Sequence, residues 1–392
     1  MAKRQPVIRR DEMKKKEPRK ERPIVLVAGG TGGHVFPAIS VALFLKRLGK
    51  KVIFITDERA EKWVRNAKKL SDSVVVHPLR RTSGRTSLWE FISRLLTSAG
   101  RSGWRFVRQR PAVVVGFGGY PASAPLLTAQ ILGIPTIIHE CNCLLGRANA
   151  VLRPLAVLTT GFPVLNGVPL DKVDDGIFVG NPLREEFDSL KKRIYEPPKG
   201  TIRLLVTGGS QGSDFFAKLI PAALESLPQE VRGRLEVTHQ VSDLLRPSVE
   251  AVYKRAGITC TLRPFFDDMP AQMAKAHLII ARSGALTVTE IMAAGLPSVL
   301  IPLGCSRDGD QLTNAQYCQE ANAAVYLTEE RATPKGLADT LQSLLTAPER
   351  LLQMSQAAKA IVRLDATERL AKLTLNLCED VPLWTRICQL QE

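Results

Sequence analysis

Ionisable side chains follow glycine-rich turns or apolar runs at three points in the chain. His34 comes directly after the glycine-rich segment 29–33, His139 and Glu140 follow an apolar run, and Glu290 lies in a short segment after another apolar run. Glycines at the end of a buried strand leave backbone N–H groups uncovered, so an anionic or hydroxyl-rich ligand can approach them. This pattern predicts a binding site with ionisable groups around it.

The segment 281–295 holds the densest group of candidate residues. Its pattern predicts the end of a strand, a turn over 283–284 and a helix over 285–294 that is closed by Gly295. The free N–H groups of the first helical turn carry roughly half a positive charge and could hold a diphosphate. Glu290 lies more than one turn into this helix, where its carboxylate could accept hydrogen bonds from the two hydroxyls of a ribose.

Alternating apolar runs and helical patterns must position these residues. They predict a parallel sheet with helices on both faces in the first half of the chain, and a second such sheet in the second half. The predicted strands are 24–28, 51–56, 73–76, 112–116, 134–138 and 156–160, then 234–238, 258–262, 277–281, 298–302 and 324–327. Since parallel strands end at one edge, the first half should have a cleft lined by His34, Tyr120, His139, Glu140 and Asn142.

Residues 202–212 repeat the opening of the chain, with a strand, a glycine pair, a small hydroxyl residue and a glycine before a helix. This internal repeat predicts an α/β fold in which two Rossmann-like domains face each other across a cleft. The expected boundaries are a basic disordered arm over 1–22, the first domain over 23–183, the second over 184–363, and a C-terminal helical segment over 364–392 that packs across the domain junction.

The first glycine loop does not fit the two commonest nucleotide motifs. A dinucleotide loop needs G-x-G-x-x-G, and from Gly30 and Gly32 the third glycine would fall at Val35; the chain also has no GxxxxGK[ST] phosphate loop. Asp57, at the end of the next predicted strand, could still hold a ribose. A dinucleotide enzyme therefore remains an alternative.

Asp308 and Asp310 form an Asp-x-Asp pair in a predicted loop, which could hold a divalent metal beside a diphosphate. A helix N-terminus already supplies positive charge there, so we expect no metal and no cofactor. The seven cysteines are scattered, and Cys141 and Cys143 are too close together for a structural zinc half-site. This usage indicates reduced thiols.

The net charge of +16 is concentrated in two stretches. Residues 1–22 carry ten Lys or Arg against four Asp or Glu, and residues 80–110 carry eight Arg against one Glu. The remainder of the chain is close to neutral, so we expect no nucleic-acid partner. No apolar run approaches the roughly 20 residues that span a bilayer, so the chain is expected neither to be secreted nor to cross a membrane.

The second basic stretch interleaves its arginines with large apolar side chains. A helix of this composition can lie in the interface of an anionic membrane, although the same residues could instead pack on the sheet. The apolar residues are Leu88, Trp89, Phe91, Ile92, Leu95, Leu96, Trp104, Phe106 and Val107. The sequence therefore predicts an anionic membrane surface as a partner.

Eight short segments resemble the bacterial cell-wall glycosyltransferase family called MurG. They are GGTGGHVFPA (29–38), GFGGYPA (116–122), HECN (139–142), GNPLR (180–184), GGSQG (208–212), FFDDM (265–269), RSGALTVTE (282–290) and DATER (365–369). They occur in the family's order. Each segment alone is a weak signal, whereas the ordered set is highly specific.

The resemblance implies a GT-B fold and an inverting, metal-independent transfer of N-acetylglucosamine from UDP-N-acetylglucosamine to the 4-hydroxyl of N-acetylmuramoyl-pentapeptide on undecaprenyl diphosphate. This reaction converts lipid I to lipid II in peptidoglycan synthesis. The resemblance also implies a peripheral enzyme on the cytoplasmic face of the cell inner membrane. The donor-binding residues implied by motif match are Thr31, Gly32, Gly33, Asn142, Arg184, Ser210, Phe266, Ala285, Leu286, Thr287, Val288, Thr289, Glu290 and Gln311.

Within this implied site, helix 285–294 would take the diphosphate and Glu290 the ribose. Backbone near Phe266 would take the uracil, and Gln311 with Asn142 would take the sugar hydroxyls and the acetamido group. Ser210 would help the helix N-terminus to stabilise the charge of the departing UDP.

The acceptor hydroxyl needs a base, and His34 is the expected one because imidazole titrates near neutral pH. The alternatives are that His34 only orients a hydroxyl or a glycine-loop carbonyl, and that Glu140 is the base, with His139 as its neighbour.

Three positions depart from the pattern of the family. Asp310-Gln311 replaces the usual pair of glutamines, Cys141 replaces a glutamine, and Phe266 replaces an aliphatic residue. The remaining alternatives are a GT-B transferase with another acceptor, a UDP-N-acetylglucosamine 2-epimerase of the same fold, and a binding module that has lost the chemistry.

Overall fold

The computed structural model describes residues 22–67, 70, 73–77, 88–173, 176–209, 212–304 and 309–378, without the side chains of residue 77 and residues 88–96. Some of the sequence predictions concern positions outside these ranges. They are residues 1–21 of the basic arm, Ser210, Asp308, residues 379–392 and the apolar side chains between 88 and 96. These predictions stay predictions.

The first half of the chain forms a parallel sheet with helices on both faces. Its elements are β1 (Ile24–Val27), α1 (Gly32–Arg47), β2 (Val52–Asp57), α2 (Glu61–Asn66), β3 (Val74–His77), α3 (Leu88–Gln109), β4 (Val113–Gly116), α4 (Tyr120–Ile131), β5 (Thr136–Glu140), α5 (Arg147–Leu152), β6 (Val157–Thr160), the hairpin strands β7 (Val164–Leu165) and β8 (Val168–Pro169), and β9 (Gly176–Phe178). The strand order is β3-β2-β1-β4-β5-β6-β9.

The second half forms another parallel sheet. Its elements are α6 (Asp188–Lys191), β10 (Ile202–Thr207), α7 (Asp214–Glu225), α8 (Gln229–Arg232), β11 (Leu235–Gln240), α9 (Arg246–Arg255), β12 (Thr259–Arg263), α10 (Met269–Lys275), β13 (Leu278–Ala281), α11 (Ala285–Ala294), β14 (Ser298–Leu300), α12 (Asp310–Glu320), β15 (Ala324–Tyr326), α13 (Pro334–Leu345), α14 (Pro348–Ala360) and α15 (Ala366–Cys378). The strand order is β12-β11-β10-β13-β14-β15. The predicted α/β architecture with two parallel sheets is confirmed.

The strand order places both glycine loops where ligands bind in such folds. β1 pairs with β2 on one side and β4 on the other, and β10 pairs likewise with β11 and β13. The direction of winding reverses at these two strands, and crevices open at the carboxyl edge where it reverses. The central strands are buried on both faces, as their near-continuous apolar runs predict.

The C-terminal helix α15 returns to the first half of the molecule. Leu370, Leu373 and Leu377 on one side of this helix are buried in the core of the first sheet, together with residues of α1. The amphipathic stripe in the sequence gives the reason, since these leucines need an apolar surface to cover. The last described helix of the chain thus packs on the first domain.

Two local details differ from the sequence predictions. α1 begins at Gly32, so His34 lies in the first turn of the helix and not in the loop before it. β5 extends to Glu140, so His139 and Glu140 are strand residues with buried side chains. Over the described residues, no helix is both long and apolar enough to cross a bilayer.

Candidate active site

A cleft of about 1140 Å³ lies between the two domains, at the carboxyl ends of their strands. Most of the residues that the sequence assigned to donor binding line it. They are Thr31, Gly32, Gly33, Arg184, Phe266, Ala285, Leu286, Thr287, Glu290 and Gln311. Residues more than 250 positions apart in the chain therefore meet in one site. The glycine loops and the helix that follow the strand ends predict such a meeting, because parallel strands end at one edge of a sheet.

Among the described residues, three of the predicted donor residues do not line this cleft, namely Val288, Thr289 and Asn142. Val288 and Thr289 are buried inside α11, and the Thr289 hydroxyl donates to Ala285 O at 2.8 Å. Asn142 lies beside the cleft among interdomain contacts, and Ser210 lies outside the described residues. Within α11, only the first three residues and Glu290 therefore line the cleft and are open to a ligand.

The N-terminus of α11 faces the cleft and is held by its neighbours. Ser283 Oγ donates to Gln311 O at 2.8 Å, and Asn314 Nδ2 donates to Ser283 O at 3.0 Å. The first N–H groups of a helix have no partner within the helix, and Ala285, Leu286 and Thr287 line the cleft. This end of the helix is suited to an anion such as a diphosphate.

Glu290 is buried in α11 and forms an ion pair with Arg184, whose Nη2 lies 3.2 Å from Glu290 Oε1. The guanidinium of Arg184 lies 4.8 Å from the ring centre of Phe36 and 5.1 Å from that of Phe187. Burial raises the pKa of the Glu290 carboxyl to about 7, and the positive charge of Arg184 opposes this rise. Glu290 can therefore change its charge near neutral pH.

His34 lies against residues 117–119, the loop between β4 and α4. A Cβ on Gly118 would lie 3.2 Å from His34 Cδ2, so the loop can approach the imidazole this closely because residue 118 is glycine. Within the described ranges, His34 Nδ1 has no hydrogen-bond partner. Burial lowers the pKa of His34, and the charges of Glu140 and Asp310 oppose this shift. A lowered pKa keeps the imidazole neutral at pH 7, which is the form that accepts a proton.

Both carboxylate oxygens of Glu140 accept hydrogen bonds from the protein. Oε1 accepts from the backbone N–H of Asn142 at 3.1 Å and from Asn142 Nδ2 at 3.2 Å. Oε2 accepts from the backbone N–H of Gly146 at 3.0 Å and from Asn149 Nδ2 at 2.8 Å. These four hydrogen bonds tie the Glu140 side chain to the following loop and hold that loop in place.

The Asn142 side chain joins the two domains. Its Nδ2 donates to Glu140, and its Oδ1 accepts from Asn314 Nδ2 at 3.0 Å. Asn314 is fully buried on α12, and its Oδ1 accepts from the backbone N–H of Cys143 at 2.9 Å. The sequence assigned Asn142 to the donor sugar, whereas in this structure its amide is bonded within the protein.

None of the five residues expected to line a cleft in the first half lines this interdomain cleft, namely His34, Tyr120, His139, Glu140 and Asn142. His139 is fully buried. Its Nδ1 lies 3.1 Å from Thr159 Oγ1 and its Nε2 lies 3.1 Å from Asn181 Oδ1. Burial lowers the pKa of His139 to about 4. Asn181 in turn donates to Cys141 O and to Thr289 Oγ1, so this histidine belongs to a buried network between the domains.

Asp57 ends β2 and lies beneath the first glycine loop. Its Oδ1 accepts from the backbone N–H groups of Gly30 and Ala60, each at 3.2 Å, and its Oδ2 accepts from Arg59 Nε at 2.9 Å. The side chain is almost fully buried. The carboxylate therefore holds the loop and is not directed at a ribose, which removes the support for a dinucleotide site.

Several cleft residues were not singled out from the sequence. Lys62, Trp63, Asn66 and Gln240 all line the cleft. No glycine or repeated motif marks α2, which carries the first three. Gln240 did have a signal, because it is a polar residue at the carboxyl end of a core strand in a parallel sheet.

Among the described residues, no three His, Cys, Asp or Glu side chains are grouped as they would be around a metal ion. Asp308 is outside those residues, so the Asp308/Asp310 pair is not described as a whole. The expectation of a metal-free site stays a prediction.

Comparison with known proteins shows the family. Residues 24–157 match the glycosyltransferase family 28 N-terminal domain, and residues 203–370 match its C-terminal domain. The chain is 39% identical over 360 residues to a UDP-N-acetylglucosamine-N-acetylmuramyl-(pentapeptide) pyrophosphoryl-undecaprenol N-acetylglucosamine transferase of Rhodopseudomonas palustris, covering 90% of this chain and 98% of the relative.

Solved structures agree with this relationship. MurG of Acinetobacter baumannii superposes with a TM-score of 0.73 at 27% identity, covering 90% of this chain and 99% of that protein. The UDP-GlcNAc 2-epimerase of Neisseria meningitidis superposes with a TM-score of 0.63 at 13% identity, covering 90% and 99%, which shows a shared fold alone. The predicted GT-B fold is confirmed, and the chain belongs to glycosyltransferase family 28 and, within it, to the MurG family of N-acetylglucosamine transferases.

Proposed function

We propose that this chain transfers N-acetylglucosamine from UDP-N-acetylglucosamine to the 4-hydroxyl of N-acetylmuramoyl-pentapeptide on undecaprenyl diphosphate, with inversion and without a metal or cofactor. The observation that carries the proposal is that the N-terminus of α11 and Glu290 line an interdomain cleft. The chain is also 39% identical to the N-acetylglucosamine transferase of Rhodopseudomonas palustris. The reaction forms one C–O bond at the anomeric carbon and breaks the bond from that carbon to the diphosphate.

The second domain binds the donor. The N–H groups that begin α11 hold the diphosphate and stabilise the charge that develops as UDP leaves. Glu290 accepts hydrogen bonds from the ribose hydroxyls in its carboxylate form, and the positive charge of Arg184, which pairs with Glu290 in the absence of donor, favours that form. The backbone near Phe266 takes the uracil, and Gln311 reaches the sugar.

The first domain binds the acceptor and supplies the base. His34 takes the proton of the acceptor hydroxyl as that oxygen attacks the anomeric carbon. The support is its lowered pKa, its position at the start of α1 and the absence of a partner for Nδ1 within the described residues. Glu140 is the weaker candidate, because four protein donors already occupy its oxygens.

A membrane surface fits an acceptor with an undecaprenyl chain. Trp104 and Val107 on α3, Ile131 on α4, Val151 on α5 and Leu155 just after α5 are large apolar residues, each at least 63% exposed. α3 packs on α4 and α4 on α5, so these five residues, here called the apolar patch, lie on neighbouring elements. Several large exposed apolar side chains on neighbouring elements favour an interaction surface.

Arginines accompany the apolar patch. Arg101, Arg105 and Arg108 share α3 with Trp104, and the Arg108 guanidinium lies 5.4 Å from the centre of a Trp104 ring. Cationic side chains around an apolar surface bind anionic lipid, at about 1 kcal/mol for each Lys or Arg near the surface. We therefore place this face on the cytoplasmic surface of the inner membrane, as a peripheral contact.

Vesicle sedimentation tests the membrane contact. Replacing Trp104, Ile131 and Val151 together by Ser should weaken binding to anionic vesicles by at least about tenfold, since each loses apolar area to insert. The matched control replaces Ile194 and Leu244, which are 87% and 88% exposed in the second half of the chain. Equal loss in both variants would contradict a specific membrane face.

Transfer of labelled N-acetylglucosamine to a short-chain lipid I analogue, with and without EDTA, tests the reaction. Product in EDTA supports the donor, the acceptor and the metal-free mechanism together. If UDP binds but no transfer occurs, the acceptor assignment is wrong. Formation of the 2-epimer of the donor would favour the epimerase alternative.

A further inference from the structure

The glycine loop after β10 and the loop after β12 both line the donor side of the cleft. The side chain of Gln240 lies between these two loops. Gln240 is the last residue of β11, which pairs with β10 on one side and β12 on the other. The glycine loop follows β10, and the loop that carries Phe266 follows β12. Gln240 itself lines the cleft and is only 4% exposed.

The Gln240 amide makes four hydrogen bonds, three with these two loops and one with Thr207, the last residue of β10. Its Oε1 accepts from Thr207 Oγ1 at 2.8 Å and from the backbone N–H of Gly208 at 3.2 Å. Its Nε2 donates to Gly209 O at 3.0 Å and to Pro264 O at 3.2 Å. The N–H of Gly208 can only donate and the two carbonyls can only accept, so the backbone alone determines which way the amide points.

The glycine loop depends on this support. Gly209 has φ +82°, a conformation that glycine adopts readily and other residues rarely do, and its N–H donates to Thr207 Oγ1 at 3.2 Å. Gly209 O also accepts from the N–H of Gly212 at 3.0 Å. A side chain that binds both Gly208 and Gly209 therefore holds the backbone of this loop in place.

We propose that Gln240 is a positioning residue for the sugar-nucleotide donor. It sets the distance between the loop on the diphosphate side and the loop on the uracil side, and it does so with a neutral group. A carboxylate has no N–H for Gly209 O or Pro264 O, and its charge beneath the loop would oppose a diphosphate. This inference rests on the proposed function, because it takes the second domain as the donor site.

Kinetics with full-length variants test the role. Gln240→Met keeps the length of the side chain and removes all four hydrogen bonds. The KM for UDP-N-acetylglucosamine should rise at least about tenfold, because several bonds that preorganise the site are lost. The KM for the lipid acceptor should stay within about twofold, because the acceptor binds the other domain. The matched control is Gln319→Met, whose side chain accepts a hydrogen bond from the Tyr326 N–H outside the cleft.

Two further variants keep the test decisive if Gln240→Met does not fold. Thr207→Val removes one hydroxyl with little change in shape and should raise the donor KM in the same direction by a smaller factor. Gln240→Glu should weaken binding of UDP more than binding of uridine, which has no phosphate for the new charge to repel. A purely structural role would lower thermal stability without separating donor from acceptor or UDP from uridine.

Calorimetry with UDP separates the possible failures. If the wild-type chain does not bind UDP, the proposed function fails. If the wild-type chain binds UDP and the Gln240 and Thr207 variants bind it equally well, only the role of Gln240 is overturned. Equal increases in the KM for donor and acceptor would also overturn it.

Discussion

The two domains support their glycine loops in the same way but with different chemical groups. In each domain the supporting side chain ends the strand next to the glycine-loop strand, Asp57 at the end of β2 and Gln240 at the end of β11. Asp57 Oδ1 accepts from the N–H of Gly30, and Gln240 Oε1 accepts from the N–H of Gly208, each at 3.2 Å. The first support is a carboxylate paired with Arg59, and the second is a neutral amide.

This difference matches the charge of the group proposed to lie over each glycine loop, because both substrates carry a diphosphate but the proposal puts only the donor diphosphate over a loop, the second one. A diphosphate bound over the second loop would be repelled by a carboxylate beneath it, whereas an acceptor sugar hydroxyl over the first loop would not. The first domain also carries its own ionisable group, His34, directly after the loop. One architecture can therefore serve acid–base chemistry in one half and anion binding in the other.

The largest effect should come from the base in the first domain. His34→Ala should lower kcat by about 10²–10⁴-fold, the usual contribution of a general base, and leave UDP-N-acetylglucosamine affinity unchanged. Steady-state kinetics and calorimetry measure the two quantities. His277→Ala is the control, because His277 lies in the second domain, where its Nδ1 accepts from the Arg203 N–H. If the His34 variant lost affinity for UDP-N-acetylglucosamine by as large a factor as it lost kcat, the assignment of the base to one domain and the donor to the other would be wrong.

The second domain should show a pH dependence of donor binding. Glu290 has a pKa of about 7 without ligand, and the ribose hydroxyls need its carboxylate form. Because the charged fraction increases through this pKa, affinity for UDP-N-acetylglucosamine should rise about tenfold from pH 6 to pH 8. Titration calorimetry measures the profile. Glu290→Gln should bind more weakly and show a flat profile; a slope retained in that variant would exclude Glu290 as the titrating group.

Glu140→Gln tests the rival base. The new Nε2 would face protein donors, so unfolding free energy should fall by about 1–3 kcal/mol, as for an unsatisfied buried group. We expect kcat to fall less than about tenfold, because the residue acts through the loop that it holds and not on the proton. Thermal melts measure the stability of the variant, and steady-state kinetics measure its kcat. A loss of kcat as large as that of His34→Ala would return Glu140 to the role of base.

The smallest effect should come from Asp57→Asn, which gives the first loop a neutral support like that of the second. It replaces the carboxylate that pairs with Arg59, so stability should fall by about 1–2 kcal/mol. The donor KM should not change, because Asp57 lies in the acceptor half. A rise in donor KM comparable with that of Gln240→Met would show that the two supports are not specialised.

Short-range signals predicted most elements of the site. Glycines at strand ends marked both loops, and the strand-turn-helix pattern around Gly284 gave α11 with its bounds, including Gly295 at its end. Glu290 was predicted to face the ligand because its position in the helix can be counted from the turn. The predictions of the loops and of α11 succeed because backbone conformation over a few residues follows from residue type and spacing, whereas the role of Glu290 stays a prediction.

Contacts between distant segments could not be predicted in this way. Nothing in the sequence pairs Glu290 with Arg184, joins Asn142 to Asn314 or buries His139 against Asn181. His139 and Glu140 looked like cleft residues because they follow an apolar run, whereas they continue the strand and bond to later segments. Long-range partners depend on how the two domains meet.

By itself, the sequence determined the α/β class, the repeat of two glycine loops and the family to which the chain belongs, because these depend on local pattern and motif order. Only the tertiary structure decided which polar groups are used up inside the protein and which are left for a ligand. Burial and hydrogen-bond partners set that division, and both come from segments far apart in the chain. This is why Glu140 supports a loop, His34 keeps a free nitrogen within the described residues, and Gln240 became visible as part of the site.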